Sequence, residues 1–185
     1  MLELTKFIAK GATRLCFEHP ENKDLCIKVI VRFKDEKLLL RELKVYSYLK
    51  DELKDYIVYH QENIIKTNLG KGIVARLLRD DDGSYSKTLS YYYRCNLIDD
   101  EIKSQLYHFA YKLVEHDIFF YDFNLDNFTI EQKDGKKKLY YTDIKSFERY
   151  KSWGFLKLEK VIPFIARYIM KKRLKKLFSR LNICI

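Results

Sequence analysis

The chain has 185 residues, 47% hydrophobic and 34% charged, with only 6 Gly and 2 Pro, a composition that excludes collagen-like, low-complexity and disordered classes. Its formal net charge of +10 is concentrated: residues 151–185 hold ten of the 36 Lys and Arg against one acid, Glu159, which leaves the first 150 residues near neutrality at +1. Charge gathered at one end suits an anionic membrane or an acidic partner and argues against nucleic acid, whose binders spread basic groups and stacking aromatics over a folded face. Residues 1–6 lack the basic-then-apolar order of a secretory signal, and no apolar run approaches the roughly 18 residues of a membrane span. Cys16, Cys26, Cys95 and Cys184 show no metal-like C-x-x-C spacing and no dense disulfide framework. The expected location is the cytoplasm, peripheral at the inner face of the membrane if the basic end docks there.

Taken in order, residues 4–8 and 14–17 read as short strands around a small-residue turn, residues 19–24 as a turn, and residues 25–31 as a third strand rich in Ile, Val and Leu. From residue 34 to about 51, Leu38, Leu39, Leu43, Tyr46 and Leu49 recur at helical spacing. Residues 57–68 and 72–78 predict two further strands, and residues 80–84 an exposed linker. A second helix is predicted over 99–116, with Asp99, Asp100 and Glu101 at its positive end. Residues 128–131 and 138–141 flank a Lys133-Asp134-Gly135-Lys136 turn, a hairpin signal. Residues 156–181 are again helical in period, with Val161, Ile165, Tyr168, Ile169 and Phe178 on one face and Arg167, Lys171, Lys175 and Arg180 elsewhere. That helix either packs on the body with a solvated basic side or docks on anionic lipid. The class is α+β, β-rich in its first half and helical in its second.

One constellation carries chemistry. Lys28 lies between Ile27 and Val29 in an apolar strand, and such a lysine ordinarily turns to solvent. Fourteen residues later Glu42 shares the apolar face of the first helix with Leu38, Leu39, Val45 and Tyr46, whereas Glu36 points elsewhere. A carboxylate on an inward stripe needs a partner, and Lys28 is the candidate. Asp122 and Asn127 stand five apart in the loop after the second helix, and Asp143 closes the hairpin that follows. A proton-accepting acid, an amide oxygen and a second carboxylate for a metal form the set used in phosphoryl transfer by kinases. Each piece is weak alone; the order Lys, Glu, Asp/Asn, Asp on these elements is the signal.

Further runs carry a resemblance: Gly11-Ala12-Thr13-Arg14, Cys16-Phe17, His19-Pro20-Glu21, Cys26-Ile27-Lys28-Val29, Arg41-Glu42-Leu43 with Tyr46, Gly70-x-Gly72-Ile73-Val74, Asp82-Gly83-x-x-Ser86-x-Thr88-Leu89, and the basic aromatic C-terminal stretch. On these the chain resembles the PhoP regulatory network protein YrbL family, along essentially its whole length, as a bacterial branch of the kinase-like fold. The resemblance implies a minimal bilobal protein-kinase-like fold, a single kinase-like domain with a β-rich N-lobe bearing one helix (about 1–79) and a reduced helical C-lobe (about 80–185) that includes the basic terminal helix.

It also implies roles. The positions matching the glycine-rich phosphate loop read Ala9, Gly11 and Arg14, with Arg14 either on phosphate or facing solvent. Lys28 would meet the α- and β-phosphates of ATP, held by Glu42; the main chain of Leu78-Arg79-Asp80 would meet adenine; Asp122 would serve the acceptor hydroxyl; Asn127 and Asp143 would hold Mg2+ or Mn2+. Departures from protein kinases are Phe120-Tyr121 for His-Arg, Asn124 for Lys, and Ile144-Lys145 for Phe-Gly. With 42 residues after Asp143 and no Ala-Pro-Glu run, the expected hydroxyl acceptor is a small molecule or glycan. The other readings are a pseudokinase-type regulatory binding module without catalysis, and a basic membrane-surface or nucleic-acid adaptor that uses only the tail.

Overall fold

The computed structural model describes residues 1–11, 13–30, 36–116, 118–120, 122, 124–144, 147–149 and 163–181. It is α+β and forms two compact units, Met1–Ser86 and Lys87–Ile185.

The first unit is a five-stranded antiparallel sheet with one helix. Strands β1 (Phe7–Lys10), β2 (Arg14–His19), β3 (Asn22–Ile30), β4 (His60–Thr67) and β5 (Gly70–Arg76) lie in the order β1-β2-β3-β5-β4, and α1 (Lys37–Leu49) connects β3 to β4. The turn expected over 19–24 is tighter, because Asn22 to Asp24 already belong to β3, with the Asn22 side chain accepting from Asp24 N–H at 2.9 Å. Alternation along β3 assigns its two faces. Ile27 and Val29 join Leu4, Phe17 and Val74 on one, while Ile30 joins Ile73 and Leu39 of α1 on the other. Lys28 therefore falls on the face that α1 covers. Buried residues of α1 are Leu39, Glu42, Val45, Tyr46 and Leu49, the helical stripe with a carboxylate inside it.

Residues 80–84 are a closed turn rather than a linker. Asp80 N–H donates to Ser84 O at 3.0 Å, Ser86 N–H to Leu78 O at 3.2 Å, and Gly83 takes φ +79°. Arg79 pins this turn: its guanidinium meets Glu18, Lys23 O at 2.9 Å and Gly83 O at 2.8 Å, and lies 4.7 Å over the Tyr85 ring.

In the second unit β6 (Lys87–Thr88), β8 (Phe128–Lys133) and β9 (Lys136–Tyr141) form one small sheet, while β7 (Ile118–Phe120) and β10 (Phe147–Arg149) form another. Asp134 and Gly135 both take positive φ (52° and 71°), the geometry a two-residue hairpin turn demands. The sequence pattern missed α2 (Leu89–Arg94), whose cap is Thr88. Helix α3 (Asp100–Glu115) starts where expected, capped by Asp99, which accepts from Ile102 N–H at 3.0 Å. Burial alone would raise the Asp99 pKa, but Lys137 and the Ile102 N–H hold it below the ordinary value.

The last helix, α4, runs Pro163–Arg180; the predicted 156–162 portion and Val161 lie outside the described residues. Its apolar face also differs from expectation. Met170, Leu174, Leu177, Phe178 and Leu181 are buried, whereas Tyr168 is 63% exposed. Phe178 stacks on Tyr107 of α3 with ring centroids 6.3 Å apart, so this stripe is spent on packing within the unit. Among the described residues no helix is long and apolar enough to cross a membrane.

Candidate functional site

The chemistry-bearing residues fall into two groups, one in each unit. In the first unit Lys28 reaches from β3 toward α1, and its Nζ stands 3.2 Å from Oε1 of Glu42. Glu42 is fully buried at 0% exposure. Its other oxygen, Oε2, accepts from Nη1 of Arg14. Arg14 thus turns inward from β2 rather than facing solvent, because a buried carboxylate oxygen left unpaired is costly, and each oxygen of Glu42 meets one cation. Glu36, at the start of α1, pairs outward with Lys71.

A fourth member escaped the sequence reading. His60, the first residue of β4, is likewise at 0% exposure. Its Nδ1 lies 2.9 Å from Val58 O, and its Nε2 lies 3.3 Å from Lys28 Nζ and 3.1 Å from Glu42 Oε1. Burial first, then the charges of Lys28 and Arg14, hold its pKa well below the ordinary imidazole value, so the ring is neutral at physiological pH. The Tyr46 ring packs against it at 5.1 Å. A single histidine between Tyr59 and Gln61 gives no periodic signal; only the sheet register brings it to Lys28.

Near Arg14, the Gly11 N–H donates to Arg14 O at 2.8 Å and closes the turn between β1 and β2. A methyl group added at Gly11 would meet nothing nearer than Arg14 O at 3.6 Å, so the chain's own packing does not demand glycine there. Leu78 is buried, and the Leu78 O and Asp80 N–H expected near adenine are engaged in the 79–85 turn; the Asp80 carboxylate also accepts from Ser86 Oγ at 2.7 Å.

In the second unit the loop after β7 brings Asp122 onto Asn127. Asp122 Oδ1 accepts from Asn124 N–H at 2.9 Å, and Oδ2 accepts from Asn127 Nδ2 at 2.7 Å. Because Nδ2 turns to Asp122, the other side-chain atom of Asn127 is an oxygen, the donor type hard cations take. Tyr141, unremarked in the sequence, donates its hydroxyl to Asp122 O at 3.0 Å and fixes the loop from below. Pairing of Phe128 with Tyr141 sets Asn127 beside Thr142, whose N–H and Oγ donate to Asn127 O at 2.8 and 3.1 Å. Asp143 follows directly and is half-buried. Asp122, Asn127 and Asp143 therefore gather at one end of the β8–β9 hairpin, while Lys28, Glu42 and Arg14 gather under α1. Among the described residues no cluster of three or more His, Cys, Asp or Glu side chains forms a metal cage.

Comparison with known proteins gives the chain a family. The family profile for "PhoP regulatory network protein YrbL" matches residues 1–182. Two curated relatives, each named "Uncharacterized protein YrbL", from Escherichia coli (strain K12) and Shigella flexneri, are 35% identical over 86 residues. That match covers 45% of this chain and 41% of each relative's length.

Proposed function

The chain belongs to the PhoP regulatory network protein YrbL family, and from that premise we propose that it is a kinase-like phosphotransferase, moving the γ-phosphoryl group of ATP to a hydroxyl acceptor. The observation that carries the reading is the part-buried Lys28–Glu42 pair, a strand lysine held by a fully buried helix carboxylate at 3.2 Å. In this reading the sheet with its single helix corresponds to a kinase N-lobe and the second unit to a reduced C-lobe. The acceptor is a small molecule or glycan.

Lys28 presents its ammonium to phosphate oxygens, where charge builds as the phosphoryl group leaves. Gly11 leaves room for a phosphate near the β1–β2 turn. Asp122, oriented by Asn127 and the Asn124 N–H, accepts the proton of the acceptor hydroxyl. Asn127 Oδ1 and the Asp143 carboxylate are the oxygen donors that would hold Mg2+ or Mn2+. Such a cation, when bound, neutralises charge on the phosphates. Asn124 stands where protein kinases place a lysine, and its side chain instead caps the following turn by accepting from Asp126 N–H at 3.1 Å. For partners beyond ATP and the acceptor, we assign the exposed basic side of α4 weak docking on anionic lipid.

The test is ATP turnover with Mg2+ or Mn2+ across a panel of candidate alcohols. Lys28→Ala is expected to weaken ATP binding or stop transfer. Asp122→Asn is expected to abolish transfer while keeping nucleotide, and Asp143→Ala to impair both. Unchanged ATP affinity and turnover in Lys28→Ala would sink the assignment. A second reading, a regulatory binding module without catalysis, is favoured by one observation: the Arg14 guanidinium is committed to Glu42. Wild-type protein that binds no nucleotide would favour that module.

A further inference from the structure

We infer that His60 is a positioning residue for Lys28: its neutral imidazole accepts an N–H of the Lys28 ammonium and, with Glu42, fixes where that ammonium points. The role rests on the phosphate-facing reading of Lys28 given above.

The inference follows from counting protons. A main-chain oxygen only accepts, so at 2.9 Å from Val58 O the His60 Nδ1 carries a proton. In a neutral ring Nε2 is then a bare lone pair. Glu42 Oε1 lies 3.1 Å from it, and two lone pairs at that separation repel unless a donor serves both. Lys28 Nζ is that donor, 3.2 Å from Oε1 and 3.3 Å from Nε2. The three atoms form a nearly equilateral triangle with the ammonium as donor to the other two. A lysine stem has many rotamers and three rotatable N–H bonds; two acceptors at fixed angles define its direction where one carboxylate would leave it to swing.

Other assignments of the proton fare worse. A doubly protonated ring would set a third positive charge beside Lys28 and Arg14 on a side chain that is itself fully buried. The groups facing His60 are Lys28 from β3, Arg14 from β2, and Glu42 and Tyr46 from α1. Two of the three charges are positive, and burial opposes protonation as well. A ring protonated only at Nε2 could donate to Glu42 Oε1, but it would lose the Val58 bond and could no longer accept from the Lys28 ammonium. The neutral Nδ1–H form alone keeps both the Val58 bond and acceptance from the Lys28 ammonium.

The experiment reads the imidazole directly. Long-range 1H–15N spectra of 15N-labelled full-length protein are recorded from about pH 5 to 8, with His60 assigned by its absence in His60→Gln. His60 is expected to keep a protonated Nδ1 and bare Nε2, and Lys28→Met to shift the Nε2 signal and raise the titration midpoint, because the donor and its charge are gone. ATP turnover provides the functional arm. His60→Gln, whose amide oxygen reaches the Nε2 position, is expected within about threefold of wild type, and His60→Phe about tenfold lower in kcat, the size of one lost positioning hydrogen bond. A proton on Nε2, or a midpoint that Lys28→Met leaves unmoved, overturns the inference. So does His60→Phe turning over as fast as His60→Gln. Should His60→Phe fail to fold, the Lys28→Met spectra decide alone. Intact turnover in Lys28→Ala would instead remove the phosphotransferase reading, and the spectra would still report whether His60 holds Lys28.

Discussion

Glu42 is the residue on which the first unit's chemistry and stability meet. Replacing it with Ala leaves Lys28 and Arg14 without their shared carboxylate. Removal of one partner from a buried ion pair costs about 3 to 5 kcal/mol. The lower end applies, because the Lys28 and Arg14 side chains keep 16% and 11% exposure and can turn partly to water. A loss of about 3 kcal/mol in urea unfolding of Glu42→Ala is the expected outcome, and a loss under about 1 kcal/mol would mean the pair behaves as a surface bridge. His60 adds a pH dependence whose sign is fixed by its depressed pKa. The unfolded chain takes up a proton near the ordinary value of about 6.5 that the folded ring refuses. Its contribution to stability is therefore complete above about pH 6.5 and is lost as pH falls toward the folded pKa, at a slope approaching about 1.4 kcal/mol per pH unit. Unfolding series between about pH 5 and 6.5 should show that slope in the wild type and a shallower one in His60→Gln; parallel slopes would contradict the assignment.

At the scale of elements, Gly72 ties packing to the site. A methyl group there would stand 3.0 Å from both Ile27 Cγ2 and Lys28 O, and 3.3 Å from Val29 Cγ2. The Lys28 oxygen belongs to the paired β3 backbone and cannot step aside, so Gly72→Ala is expected to cost about 1 to 3 kcal/mol and to lower Tm. Gly11→Ala, with nothing nearer than 3.6 Å, should stay within about 0.5 kcal/mol of wild type. Equal Tm losses in the two variants would show that the crowding at Gly72 is not what matters. These elements also show what the sequence could disclose. Glu42 was legible because a carboxylate inside a helical apolar stripe contradicts its surroundings, and Lys28 because it interrupts an apolar strand; each anomaly explains the other. Asp99 and the Asp134-Gly135 turn were legible because caps and positive-φ turns are local chemistry. Helix α2 was not, since six residues with Leu89 and Tyr92 inside and Tyr91 and Tyr93 outside are too few to display a period. Strands β7 and β10, three residues each, fail for the same reason. His60 and Tyr141 act across 32 and 19 residues of chain, respectively, through partners that only register supplies.

For the whole molecule, the charge of +10 resolves into a surface. Arg167, Lys171, Lys172, Lys175, Lys176 and Arg180 are exposed along α4, and no acid lies within the helix. Its apolar stripe is already packed, so docking on a bilayer draws on charge alone, worth about 1 kcal/mol per basic group near an anionic surface. Vesicles rich in anionic lipid should sediment the protein at low salt and release it by about 0.3 M, where the screening length falls to about 6 Å. Binding that ignores salt, or none at low salt, would each refute that picture. The first unit has a different whole-chain property, set by the direction of protein synthesis. Every strand pairing of its five-stranded sheet lies within residues 7–76, and Arg14, Lys28, Glu42 and His60 all precede residue 87, where the second unit begins. A ribosome has therefore polymerised every residue of the ammonium–carboxylate–imidazole cluster, and every strand that frames it, before it adds the first residue of the unit that carries Asp122.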